Sequence, residues 1–173
     1  QEPGFSVIAL RQGTVNGHSP RMRFDLIVNT MFKTAMMEGR IVVNNPAIWR
    51  PLLDVRDTAQ AFIRAVEANQ DVSGVFNIAF DNFTVGQVAE QVRGTVERRT
   101  GSPVAVEMRN QQDFRNYKVD CTRAKECLGF KPAYGIVDMV DSLWAHLAEY
   151  GDLSQSDYYN IQVFKQIMSR DDG

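Results

Sequence analysis

An α/β fold class is predicted for this 173-residue chain by three observations. Short β-rich runs alternate with longer runs whose apolar residues recur every three or four positions, the pattern of sheet strands joined by amphipathic helices. Turn-forming Gly, Pro and Asn residues separate those runs. The composition, 44% hydrophobic and 23% charged, suits a single water-soluble core. The net charge of -2 is spread over 19 basic and 21 acidic residues with no block of either sign. That spread argues against a nucleic-acid or membrane-surface binder built on gross charge, while leaving room for a local arginine cluster that holds a phosphate. No stretch reaches the roughly 20 apolar residues of a membrane span, and no basic-then-apolar leader opens the chain. The cytoplasm is the expected compartment.

Phe5 to Leu10 reads as a buried strand entered after four residues with no initiating Met, so the chain is expected to begin inside a fold. Gly13 to Pro20 reads as a loop, rich in Gly, Asn, Ser and Pro. Phe24, Ile27, Val28, Met31, Phe32, Ala35 and Met36 mark one face of a helix stopped by Gly39. Two strands follow, Arg40 to Val43 and Trp49 to Val55, with a turn at Asn44-Asn45-Pro46. Asp57 is expected to cap the helix carrying Ala59, Phe62, Ile63 and Val66, accepting from first-turn amides.

Gly74 to Ala79 is a strand, and Thr84 opens a helix that runs through Val88, Val92 and Val96 to Thr100-Gly101. Val104 to Met108 alternates as a strand, and Tyr117 to Asp120 is a short extended piece. A brief helix from Thr122 ends at Gly129, an amphipathic one covers Ile136 to Tyr150, and a polar link, Gly151 to Asp157, leads to a last helix with Tyr159, Val163, Phe164 and Ile167. Cys121 and Cys127 lack redox or zinc spacing and read as reduced structural thiols. His18 and His146 stand apart from any motif of a base or ligand, and neither is assigned chemistry. Trp49, Met36 and Met37 read as core.

Four segments in this order and spacing resemble the second half of the extended short-chain dehydrogenase/reductase family, the nucleotide-sugar epimerases and dehydratases. They are Leu10 to Arg21, similar to a strand-end LR..(N/T)VYGP; Phe24 to Asn29; Trp49 to Ala61, similar to R.(Y/L)(I/V)HV.D.A.A; and Asp113 to Pro132, similar to D.R.Y...(S/T)KA...LG(W/F).P. The resemblance implies the C-terminal part of a Rossmann-type fold, the last sheet strands plus a small mixed α/β substrate lobe. Residues 1–150 are then the substrate-binding region, and 151–173 a polar link with a C-terminal helix.

The family's cofactor half is not legible here. Its dinucleotide site needs a Gly-rich turn whose amides meet the pyrophosphate, and no G-x-x-G-x-x-G occurs. Its proton-transfer tyrosine lies four residues before a lysine, and none of Tyr117, Tyr134, Tyr150, Tyr158 and Tyr159 has Lys at that offset. No catalytic residue is therefore assigned. NAD(P) is implied for the intact family enzyme, with no tight binding expected from this chain alone.

The resemblance also implies the binding residues. Arg50 begins a strand, where a guanidinium can grip a diphosphate with two parallel hydrogen bonds. Arg115 would be a second cation on that diphosphate, with Asp113 accepting from sugar hydroxyls and Arg109 a rival for the same task. Asn29 faces substrate. Thr14 and Val15 lie on the cofactor side of the strand-end loop, which also carries Asn16, Ser19 and Arg21; Thr14 stands where many members have Asn. The expected ligand is a nucleotide-diphosphate sugar, and the expected partner a second copy of the chain or a complement to the missing half. A stand-alone nucleotide or nucleotide-sugar binding module, or one half of a split enzyme, is the alternative.

Overall fold

The computed structural model describes residues 5–109 and 116–171. Among them the order is β1 (Ile8–Gln12), β2 (Thr14–Asn16), α1 (Ile27–Glu38), β3 (Arg40–Asn44), β4 (Trp49–Asp54), α2 (Val55–Glu67), β5 (Gly74–Ile78), β6 (Asp81–Thr84), α3 (Val85–Thr100), β7 (Ala105–Arg109), α4 (Thr122–Leu128), α5 (Ile136–Ala145) and α6 (Asn160–Asp171). Single 3-10 turns cover Leu147–Glu149 and Ser156–Tyr158.

β1 and β2 are two halves of one path that changes partner at Gly13. β1 runs parallel to β5, with Leu10 beside Phe76, while β2 runs parallel to β4, with Val15 beside Leu53. The Gly13 amide still donates to the Ile78 carbonyl at 2.8 Å. A Cβ at Gly13 would lie 2.8 Å from the Pro51 carbonyl oxygen, so the crossing needs a residue without a side chain. β6 closes the far side of β4 in antiparallel pairing, and β3 and β7 form a separate parallel pair.

β4 divides the interior because successive side chains leave a strand on opposite faces. Leu52 enters the larger cluster, with Phe32, Val92 and Leu143 from α1, α3 and α5, Ile41 from β3 and Phe24 ahead of α1. Leu53 enters the smaller one, with Phe76, Ile78, Ala124 and Phe130. Both leucines are fully buried, and truncating either to Ala would cost about 2–5 kcal/mol through lost transfer energy and the cavity left behind.

The structure corrects several boundaries. The first strand begins at Ile8, and it is not buried: Phe5 and Val7 are exposed, and β1 is an edge strand among the described residues. The expected loop after Gly13 contains β2, and β6 was likewise not foreseen; both are short polar runs that pairing with β4, and not propensity, makes extended. Tyr117 to Asp120 pairs with no strand among the described residues; instead the Asn82 side chain bonds the Val119 amide and carbonyl at 2.9 Å each. The helix from Ile136 stops at Ala145.

Asp57 does not cap α2. That position belongs to Asp54, whose carboxylate accepts from the Arg56 amide at 2.8 Å. Asp57 lies inside the first turn and points across to another segment, accepting from the amides of Ala133 and Tyr134 at 2.9 and 3.0 Å. The other end signals act as read: Thr84 and Gln87 form a reciprocal capping box, and Gly39, Gly101 and Gly129 terminate helices in the left-handed conformation.

Candidate functional site

Two adjoining hollows form one trough between the β2 end and α1. The first, about 380 Å3, is lined by Gly13 to Gly17, Ser19, Arg21, Arg23, Leu26, Asn29 and Val55. The second, about 510 Å3, continues from Thr14, Arg23 and Leu26 past Asp25, Thr30 and Asn44 to Arg50. Both fall in the size range of small-molecule sites.

The wall of the first hollow is fixed by two buried asparagines. Asn16, at the end of β2, accepts from the Val28 amide at 3.1 Å, and its own amide group donates to the Thr14 carbonyl at 2.7 Å. It supplies the cap that Leu26, at the N-cap of α1, has no side-chain group to give. Asn29, one turn into α1, accepts from the Gly17 amide at 3.0 Å and donates to the Arg23 carbonyl at 2.9 Å. Gly17 has φ +97 and faces the Asp54 carboxylate, where a Cβ would meet Oδ2 at 3.0 Å. The turn after β2 is thus held on both sides by side chains more than ten residues away.

Three arginines follow the trough. Arg21 donates to Oδ1 of Asn160 on α6 at 3.0 Å. Arg23 forks onto Asp25, Nε to Oδ1 at 3.0 Å and Nη2 to Oδ2 at 2.9 Å. Desolvation alone would raise the Asp25 pKa, but the hydrogen bond and charge of Arg23, with backbone donors, outweigh it and hold the carboxyl below its ordinary value. Arg50, on β4, is half-buried and donates to the Trp49 carbonyl at 2.9 Å. Further along the chain, Asp54 forks onto Arg56, which lies 3.7 Å over the Tyr134 ring, and Asp57 holds the Ala133 and Tyr134 amides.

Asn29, Thr14 and Val15 line the first hollow, and Arg50 the second, which Thr14 also borders. Asp113 and Arg115 lie outside the described residues. Asn116 brings the chain back beside Arg50, its side-chain oxygen accepting from the Trp49 amide at 2.9 Å, and Lys118 sits 3.5 Å over the Trp49 ring. Arg109 pairs with Glu107 at 3.3 Å at the end of β7 and lines neither hollow. Arg23, which lines both, was not foreseen; its one sequence signal is an arginine two residues after Arg21 in the loop before α1. Met37 is exposed, not core, and Trp49 is half-buried under Lys118. Cys121 and Cys127 are free thiols, and burial pushes the Cys121 pKa up.

Three larger proteins of known structure share this fold. UDP-glucuronic acid 4-epimerase from Bacillus cereus, in complex with UDP-glucuronic acid and NAD, matches over 82% of this chain and 45% of its own, with TM-score 0.67 and 18% identity. UDP-N-acetylglucosamine 4-epimerase from Bacillus cereus matches over 91% and 50%, with TM-score 0.66 and 23% identity. The fold is that of part of an extended short-chain dehydrogenase/reductase. dTDP-glucose 4,6-dehydratase from Bacillus anthracis, in complex with NAD, extends the likeness to a dehydratase, over 90% of this chain and 47% of its own at TM-score 0.66 and 18% identity. The chain spans about half the length of each of these short-chain dehydrogenase folds. No protein-family model matches the chain. Among the described residues no helix is long and apolar enough to cross a membrane.

Proposed function

We propose that this chain is the substrate-binding portion of an NAD-dependent nucleotide-sugar epimerase or dehydratase and is catalytically inert by itself. The trough carries this reading, because it sets Arg21, Arg23 and Arg50 along a single concave path in a chain of net charge -2. Local cations in a partly desolvated groove bind a diphosphate far more strongly than their weight in the total charge suggests. Arg50 grips the diphosphate, and Arg115, the chain neighbour of Asn116, supplies the second cation with Asp113 toward the sugar. Asn29, Thr14 and Val15 shape the end where sugar and nicotinamide meet.

The residues present do not suit a dinucleotide on their own. No Gly-rich turn precedes a helix, and in α1 the Val28 amide that would face an anion is already taken by Asn16. In the intact enzyme NAD(P) supplies the hydride acceptor; this chain contributes orientation and charge. Exposed Phe62, Ile63 and Val66 on α2, with Phe5 and Val7 at the open edge of β1, support an interface with a second copy or with a complementary cofactor-binding chain. The proposed compartment is the cytoplasm.

Calorimetry with UDP-, dTDP- and GDP-sugars tests the binding claim, and heat from at least one of them is expected. Silence from all three would refute it. Turnover of any of these sugars by the isolated chain with NAD would refute the claim of inertness.

A further inference from the structure

The turn that walls the trough also brings together two histidines that the sequence sets 128 positions apart. The rings of His18 and His146 stack face to face, 3.7 Å between centroids and 5° between planes. His146 ends α5, and Glu149 follows one turn later in the 3-10 segment. One ligand atom from each of His18, His146 and Glu149 lies within 4.8 Å of the other two.

We propose that His18, His146 and Glu149 bind a borderline divalent cation of the Zn2+ or Ni2+ class. The first argument is the tautomer. Nδ1 of His146 lies 2.8 Å from the Ser142 carbonyl, which only accepts, so the neutral ring carries its proton there and presents Nε2 as a lone pair. Such an Nδ1–H to carbonyl bond is the outer-shell contact that orients metal-ligating histidines. Nδ1 of His18 lies 2.8 Å from the Tyr150 hydroxyl, and with that hydroxyl as acceptor the His18 Nε2 is open to a cation.

The second argument is the donor set. Two imidazoles and one carboxylate, with further positions left to water, suit zinc and its neighbours, whereas magnesium and calcium prefer all-oxygen shells. Ligand atoms around a tetrahedral zinc stand about 3.4 Å apart at Zn–N distances of about 2.1 Å, so the present spacing must contract. Parallel rings also aim their lone pairs along parallel planes, so the cation enters as the stack opens. Glu149 is exposed and able to swing inward, and the two rings must tilt apart about their Nδ1 contacts for both Nε2 atoms to meet one ion. Once bound, the cation ties the trough wall to the end of α5, because the amides of Gly17 and His18 are already fixed to Asn29 and Ser142.

The test is a Zn2+ titration by calorimetry and a Co2+ titration by visible absorption, on tag-free protein carrying Cys121→Ser and Cys127→Ser so that the free thiols do not compete. One ion per chain is expected, with affinity falling at least about tenfold in each of His18→Ala, His146→Ala and Glu149→Gln. Glu149 is exposed, so Glu149→Gln decides the matter even where a histidine variant misfolds. Zn2+ affinity unchanged in Glu149→Gln, or no stoichiometric binding by the parent, would overturn the site.

Discussion

Asn16 and Asn29 tie the same two segments together from opposite sides. Oδ1 of Asn16, on β2, accepts from the Val28 amide of α1, while Oδ1 of Asn29, on α1, accepts from the Gly17 amide just after β2. Each bond satisfies a backbone donor that is otherwise buried at the trough wall. Replacing either asparagine with Ala is expected to cost about 1–3 kcal/mol, the usual penalty for an orphaned buried donor. The two changes should not add, since both loosen one junction; a double-mutant cycle by urea denaturation should give a coupling of at least about 0.5 kcal/mol. Strict additivity would mean that the two bonds act independently.

Asp57 makes a pH prediction with a definite sign. Desolvation raises its pKa above the ordinary 3.8, partly offset by the Ala133 and Tyr134 amides. The folded state therefore takes up this proton more readily than the unfolded state, and Asp57 makes stability decline as pH rises through the window just above 3.8. The lowered carboxyls of Asp25 and Glu107 act in the opposite sense, losing their contribution as pH falls through their folded values. The difference between wild type and Asp57→Asn isolates the effect. The variant's profile should lack the Asp57 slope, so wild type should lose stability relative to it as pH rises through that window.

What the sequence revealed and what it hid divide along one physical line. Helix ends were legible where a local signal fixes them: Thr84 with Gln87, and glycines at 39, 101 and 129, each act within one turn of chain. β2 and β6 were hidden because Thr14-Val15-Asn16 and Asp81 to Thr84 become strands only through β4, distant from both in sequence. Asp57 misled for a related reason. An aspartate before an apolar run looks like a cap, but Asp54 three residues earlier has that geometry, and what Asp57 holds lies 76 residues away. Arg50 and Asn29, which the resemblance singled out, line the two hollows, whereas Arg23 and the pairing of His18 with His146 required the folded chain.

Gly17→Ala should be among the most damaging small substitutions. Its φ of +97 is a conformation that L side chains rarely adopt, and the new methyl would press on the buried Asp54 carboxylate. Since Asp54 also caps α2 and receives Arg56, the disturbance reaches beyond the turn. A loss of about 2–4 kcal/mol is expected, combining backbone strain with a displaced buried charge. Thermal unfolding checks it, and a Tm within a degree of wild type would show that the turn relaxes freely.

The exposed apolar residues of α2 predict self-association. Phe62, Ile63 and Val66 are 52%, 45% and 86% exposed, one short stripe that water solvates poorly. Val66→Glu adds a charge at its most exposed point and should shift sedimentation toward monomer by at least about tenfold in dissociation constant, without changing the unfolding midpoint of the monomer. A wild-type chain that sediments as a monomer at every concentration would remove this prediction.

Arg50 separates charge from geometry at the trough. If it grips a diphosphate with two parallel hydrogen bonds, Arg50→Ala should weaken nucleotide-sugar binding by about 1.5–3 kcal/mol, or roughly ten- to a hundredfold. Arg50→Lys should recover only part of that loss, because an ammonium restores the charge without the planar fork. The wild-type affinity should also fall with added salt more steeply than that of Arg50→Ala, since screening acts on the charge the variant lacks. Calorimetry at two ionic strengths reads all three quantities. Equal affinity and equal salt dependence in wild type and Arg50→Ala would shift the diphosphate contact from Arg50 to Arg23, whose fork onto Asp25 would then have to open to receive it.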